Sequence, residues 1–194
     1  FASVGDVELT FVLPKVYGDE ANNNMKMLGA CDVELSDEII SAQRDFERRK
    51  FYEFCQHVYA YTTPEQYNRI LEENRETFVK IGENVSYGKM VFSGKYGSTL
   101  YQEISRYGVV ASVIAKKEQF DVIHAHDWLT YPAGIAAKKI SGKPLVVHVH
   151  ATEYDRSGEN CINSKVFEIE KKGMDFADRV ITVSNFTRDI VINK

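Results

Sequence analysis

Cysteine is scarce in this chain of 194 residues: there are three, Cys31, Cys55 and Cys161, an odd number with no CxxC pair. That argues against a disulfide framework and a zinc ribbon, and it fits a reducing cytosol. Long apolar runs are also missing. The longest, from Gly108 to Ala115, falls far short of the roughly 20 residues that cross a bilayer, and no signal peptide is visible. There is no basic excess either: Lys and Arg total 24 against 28 Asp and Glu, for a formal net charge of -4. The two signs interleave, as in Arg44-Asp45-Phe46-Glu47-Arg48-Arg49-Lys50, so no stripe marks a nucleic-acid partner. Glycine-rich phosphate loops are absent. The stretch "SGKYGST" (93–99) puts glycines ahead of a helix but does not match GxxxxGK[ST], and no GxGxxG occurs. Internal repeats and low-complexity segments are absent too.

What remains is an ordinary globular composition, 44% hydrophobic and 27% charged, long enough for one sizeable domain with a buried core. The chain opens on Phe1 rather than a methionine and stops at Lys194 inside a helix, which reads as a piece of a longer protein. Residues 7–13, "VELTFVL", alternate as a strand. Residues 20–36 read as loop and 37–60 as helix. A further helix is expected behind Pro64, ending near Gly82, then a short strand and glycine turn over 88–98. Thr99 with Gln102 forms a candidate capping box for a helix with Leu100, Ile104, Tyr107, Ala111 and Ile114 on one face.

From there the rhythm is regular: strand 120–125, helix 130–140, strand 145–150, helix 163–177, strand 179–183, and a last helix capped by Ser184. Strands that alternate with helices and are rich in Val and Ile indicate an α/β fold with a Rossmann-like parallel sheet and helices on both faces. The region of about 20–98 reads as a helical insertion into it.

Ligands of such sheets sit beyond the carboxyl ends of the strands, and two histidine pairs lie there. His124 and His126 close one strand; His148 and His150 close the next, so four of the five histidines gather at one edge. Residues i and i+2 of a strand share a face, about 6.5–7 Å apart. For the deeper His124 and His148 the expectation is a core histidine bonded to backbone. His126, Asp127 and His150 stand at the strand tips and are candidates for a binding cleft; Asp127 sits about three residues early for a helix cap. HxH on a strand can also supply metal ligands, with Asp127 a third, but Trp128 follows directly where a familiar metallohydrolase order would have histidine. No metal is expected, and Trp128 reads as a packing residue beside the site.

Three segments, "DVIHAHDWLTYPAG" (121–134), "KPLVVHVHATEYDRSG" (143–158) and "IEKKGMDFADRVITVSNFT" (169–187), together resemble the N-terminal half of a retaining GT-B glycosyltransferase of the glycogen and starch synthase type (group 1, families 4 and 5). The resemblance is clear over 118–194, loose over 1–20 and weak between. It implies that residues 1–194 are an N-terminal, acceptor-side domain, with the C-terminal nucleotide-sugar domain absent. It implies transfer of glucose with retention from ADP- or UDP-glucose to an α-glucan in the cytoplasm, without a cofactor. His150 and Asp127 would be the catalytic pair, with His126, Glu153, Tyr154 and Ser184 as substrate-binding residues. Asp155, Arg156 and Thr187 fall in the same motifs. The implied partners are the sugar donor, a saccharide acceptor and the protein's own C-terminal domain, with no nucleic acid and no membrane span. The piece alone is expected to be inactive. Sucrose-, trehalose- or envelope-sugar-forming transferases, a metal-dependent hydrolase built on the HxH pairs, and a non-catalytic sugar-binding domain are the alternative readings.

Overall fold

A computed structural model describes residues 7–18, 25–46, 85–86, 88–93, 100–158 and 161–193. The chain divides into two compact units, Phe1–Glu103 and Ile104–Lys194.

In the first unit, β1 (Thr10–Leu13) pairs in parallel with β2 (Lys26–Gly29), Thr10 opposite Lys26 and Leu13 opposite Gly29. β2 lies where the sequence reads as loop. Its four residues, KMLG, carry neither alternation nor a β-branched side chain, so backbone pairing to β1 fixes the strand rather than side-chain pattern. A helix, α1, covers the described residues 37–46. β3 (Val85–Ser86) and β4 (Lys89–Met90) form a short antiparallel ladder turned at Gly88, whose φ of +80° suits glycine. The Leu35 N–H donates to the Gly88 carbonyl at 2.8 Å. Leu35, Ile40, Met90 and Phe92 are buried. The expected helix over 47–60, the one behind Pro64, and the Thr99 cap lie outside the described residues.

α2 (Leu100–Lys117) buries Ile104, Tyr107 and Ile114 of the face its 3.6-residue period predicts, while Leu100 and Ala111 of that face are half-buried and Val110 and Val113 are buried beside them. The second unit is the regular part. β5 (Ile123–His126), β6 (Leu145–Val149) and β7 (Arg179–Thr182) form a parallel sheet in that order, with His126 opposite His148 and His148 opposite Ile181. Between them run α3 (Asp127–Ser141), the short α4 (Glu153–Ser157) and α5 (Ser164–Phe176); α6 (Asn185–Asn193) closes the unit. The architecture is α/β, a Rossmann-like sheet of parallel strands joined by helices.

Strand alternation sends Ala125, Leu145 and Val147 into the core with Tyr131 and Ile135 of α3, ringed by Ile123, Trp128, Met174 and Ala177. Burying a leucine, valine or isoleucine of this set is worth about 1.5–3 kcal/mol. α3 approaches the sheet closely because Gly134 leaves room. A Cβ on Gly134 would meet Leu145 Cδ1 at 2.8 Å and Ala125 Cβ at 3.0 Å. α3 ends where Gly142, at φ +71°, donates its N–H to the Lys138 carbonyl at 2.8 Å. Ser184 caps α6 as expected, its Oγ accepting the Thr187 N–H at 3.1 Å.

Asp178 ties α3 to the sheet. Its Oδ2 accepts from Lys138 Nζ and from the Leu145 N–H, both at 2.7 Å. The Lys138 bond, then the Leu145 bond, hold its carboxyl below the ordinary value of 3.8. A depressed carboxyl stabilises the fold above the unfolded value and loses that contribution as pH falls through the folded one. Asp178→Asn should therefore lower the urea midpoint at neutral pH, with the gap to wild type closing below pH 3.8. A gap of constant size across that range would show that charge is not what Asp178 contributes.

Candidate functional site

The same alternation that fills the core puts His124, His126 and His148 on the opposite face of the sheet, with His150 just beyond β6. Their rings form one continuous patch. Centroids are 4.5 Å apart for His124 and His126, 5.1 Å for His126 and His148, and 4.4 Å for His148 and His150. His126 also stacks on His150 at 5.5 Å. Partial desolvation, then the neighbouring histidines, push the His124 and His126 imidazoles below their ordinary value of 6.5.

The expectation of core histidines bonded to backbone does not hold for the deeper pair. His124 is exposed. His148 is half-buried, and its Nδ1 is shut off from solvent without a hydrogen-bond partner. The reason is that α3 and α5 pack on the other face of these strands, against Ala125, Leu145 and Val147.

Asp127 is the pivot. The chain turns from β5 into α3 at this residue with φ +59°, the one described non-glycine position with positive φ. Aspartate tolerates that conformation better than most residues, yet it stores strain of the kind concentrated at working sites. α3 thus begins at Asp127, three residues earlier than the sequence suggests, with His126 as its N-cap. Thr130 Oγ1 donates to the His126 carbonyl at 2.7 Å and reaches that of Asp127 at 3.2 Å, securing the turn.

The turn aims the Asp127 carboxylate across to the end of β6. Oδ1 accepts the His150 backbone N–H at 2.8 Å, and Oδ2 lies 3.0 Å from His150 Nδ1. A carboxylate at that distance keeps the ring proton on Nδ1 and leaves Nε2 as the working nitrogen. Tyr131 braces the pair from below. Its ring is buried and its hydroxyl donates to the His148 carbonyl at 3.3 Å; burial, then Asp127 and Glu170, raise its pKa.

The segment after His150 is locked by a network the sequence did not reveal. Thr152 and Asp155 form a capping box at the start of α4. Glu170 of α5, 4% exposed, accepts the Glu153 N–H at 2.9 Å and pairs with Arg156 Nη2 at 2.5 Å. Burial raises the Glu170 pKa against the pull of these two donors. Arg156 Nη1 donates to the Ala151 carbonyl at 2.8 Å. Glu153 is itself buried, its Oε1 accepting the Asn163 N–H at 3.0 Å. The Tyr154 ring meets Phe167 edge-on at 5.7 Å.

His126, Asp127 and His150 therefore come together, whereas the Glu153 carboxylate is taken up within the α4 network and Ser184 within the α6 cap. Glu170 was findable. It stands four residues after buried Val166 and three before buried Gly173, a carboxylate on the apolar stripe of its helix, which requires a buried partner.

Residues 57–194 match Glycosyltransferase Family 4. The chain belongs to this family. A stretch of 41 residues is 44% identical to an uncharacterized glycosyltransferase of Methanocaldococcus jannaschii; it covers 21% of this chain and 10% of that protein. No solved structure matches. In this family 4 chain the matched region contains the whole histidine patch, the Asp127 turn and the α4 network. Among the described residues, no helix is long and apolar enough to cross a membrane.

Proposed function

We propose that this family 4 chain supplies half of the cleft of a retaining hexosyltransferase of the glycogen synthase type. It would move glucose from ADP- or UDP-glucose to an α-glucan. The observation that carries the reading is Asp127 holding both the backbone and the ring of His150 at the carboxyl edge of a parallel sheet, where α/β folds place ligands.

Transfer with retention, assisted by the leaving phosphate, does not need the paired carboxylates of a double displacement. It needs oriented polar groups around a sugar that becomes oxocarbenium-like. His150, presenting Nε2, would bond a donor-sugar hydroxyl. Asp127 orients His150 and lines the same wall, and His126 packs against the His150 ring. Tyr154 and Ser184 are the further substrate contacts in this reading. For Glu153 the reading narrows to positioning, through Asn163 and Arg156. The protein's own C-terminal domain would hold the nucleotide and neutralise its diphosphate.

The test is nucleotide release by the full-length protein from ADP-glucose and from UDP-glucose, with and without glycogen, repeated in chelator. Release that requires glycogen and survives chelator is expected. Release with a different acceptor would move the chain to a sucrose-, trehalose- or envelope-sugar-forming activity. Hydrolysis abolished by chelator would overturn the reading.

A further inference from the structure

His124 and His148 have no task in the proposed transfer, yet they stand with His126 in one cluster. One nitrogen from each of the three lies within 4.8 Å of those of the other two. The arrangement follows from the sheet itself: His124 and His126 are two apart on β5, and His148 is the register partner of His126 on β6.

A four-coordinate zinc ion with Zn–N bonds of about 2.0–2.1 Å needs its nitrogens about 3.3 Å apart. His124 and His126 are exposed, so side-chain rotation can close the remaining gap. A histidine kept for structure has its buried nitrogen hydrogen-bonded, whereas Nδ1 of His148 has no partner. The donors are all imidazole nitrogens. That set favours Zn2+, Cu2+, Ni2+ and Co2+ over the oxygen-seeking Mg2+ and Ca2+.

We propose that His124, His126 and His148 bind one divalent transition-metal ion, Zn2+ foremost, on the sheet face beside the Asp127–His150 pair. Three protein ligands leave a fourth position open to water. The ion would sit against the ring of His150, whose centroid is 4.4 Å from that of His148. Added positive charge there would weaken His150 as a hydrogen-bond acceptor. The site therefore suits restraint of transfer by metal, a consequence that rests on the transferase reading although the binding does not.

The test uses the full chain stripped of metal and dialysed at fixed neutral pH against Zn2+ and, separately, Co2+. One ion per chain is expected, with the strong visible bands of four-coordinate Co2+. His124→Gln, His126→Gln and His148→Gln should each weaken binding by more than about tenfold, the loss that even an outer partner of a metal ligand produces. His150→Gln and Cys161→Ser should retain it; Cys161 is an exposed free thiol among the described residues. Zinc should raise the unfolding midpoint of the wild type and of the retaining variants alone, which separates lost ligation from lost folding. Absence of saturable binding, binding that survives loss of any of the three histidines, or binding lost with His150 or Cys161 would overturn the assignment.

Discussion

Asp127→Asn in the full-length protein should lower kcat of glycosyl transfer by about a hundredfold or more, the loss typical of one preorganised electrostatic contact, with little change in folding stability. Asparagine suits the substitution for two reasons. It is among the few residues that accept a positive φ, so the turn at φ +59° survives. Its Oδ1 can still accept the His150 N–H now bonded at 2.8 Å. What changes is the second contact, the carboxylate oxygen 3.0 Å from His150 Nδ1. An amide NH2 placed there favours an unprotonated Nδ1 and moves the ring proton to Nε2, the nitrogen that should face the sugar. Asp127→Gly is the complement: it relieves backbone strain and deletes both contacts, so activity should fall further while stability is nearly kept. Asp127→Ala should lose both, since alanine at this φ costs about 1–2 kcal/mol. If Asp127→Asn turned over at the wild-type rate, His150 would not depend on Asp127 for its tautomer, and the carboxylate would be a turn residue only.

The legible part of this chain is the part where periodicity and chemistry coincide. β5, β6 and β7 were readable because Val and Ile runs end in polar residues, and α5 because its apolar stripe is regular. β2 was not, since a four-residue strand held by backbone pairing leaves no pattern in its side chains. The start of α3 is not legible for a related reason: a residue at positive φ opens it, and no propensity scale anticipates that. His126, Asp127 and His150 could be gathered at one sheet edge from the sequence, because strand ends are where α/β sheets present their ligands. That Asp127 reaches across to His150 could not, because the contact depends on the turn geometry of one residue. The surroundings of His124 and His148 are not legible in the sequence, because strand alternation tells which residues share a face, but not which face α3 and α5 cover. Glu153 followed His150 closely enough to resemble a ligand-facing residue. Its burial against Asn163 and Arg156 depends on α5, a helix away in sequence.

Gly173→Val should destabilise the second unit by more than about 3 kcal/mol, at the upper end of what overpacking a filled core costs. A Cβ at Gly173 would lie 2.6 Å from Tyr131 Cγ and 2.8 Å from its Cβ. Tyr131 cannot retreat: it is 1% exposed, packs within the Ala125–Leu145–Val147 core, and donates its hydroxyl to the His148 carbonyl. Helix propensity argues the other way, since replacing glycine by alanine within a helix gains about 0.8–1.0 kcal/mol. The alanine variant therefore decides which effect wins. Gly173→Ala should still destabilise, because the obstruction is a ring at closer than van der Waals contact rather than the free end of a flexible chain. In a Tyr131→Ala background, itself costly through its cavity, the same Gly173→Ala change should turn neutral or stabilising, and the four urea midpoints of this cycle isolate the clash. The effect should also reach the site. Tyr131 lies four residues after Asp127 on α3, so a displaced ring disturbs the turn that holds His150. Gly173→Ala, assayed well below its melting temperature, should then lose transfer rate as well as stability. An alanine variant more stable than wild type would show that α5 stands further from Tyr131 than the packing requires, and that the close approach of the two helices is not what braces the Asp127 turn.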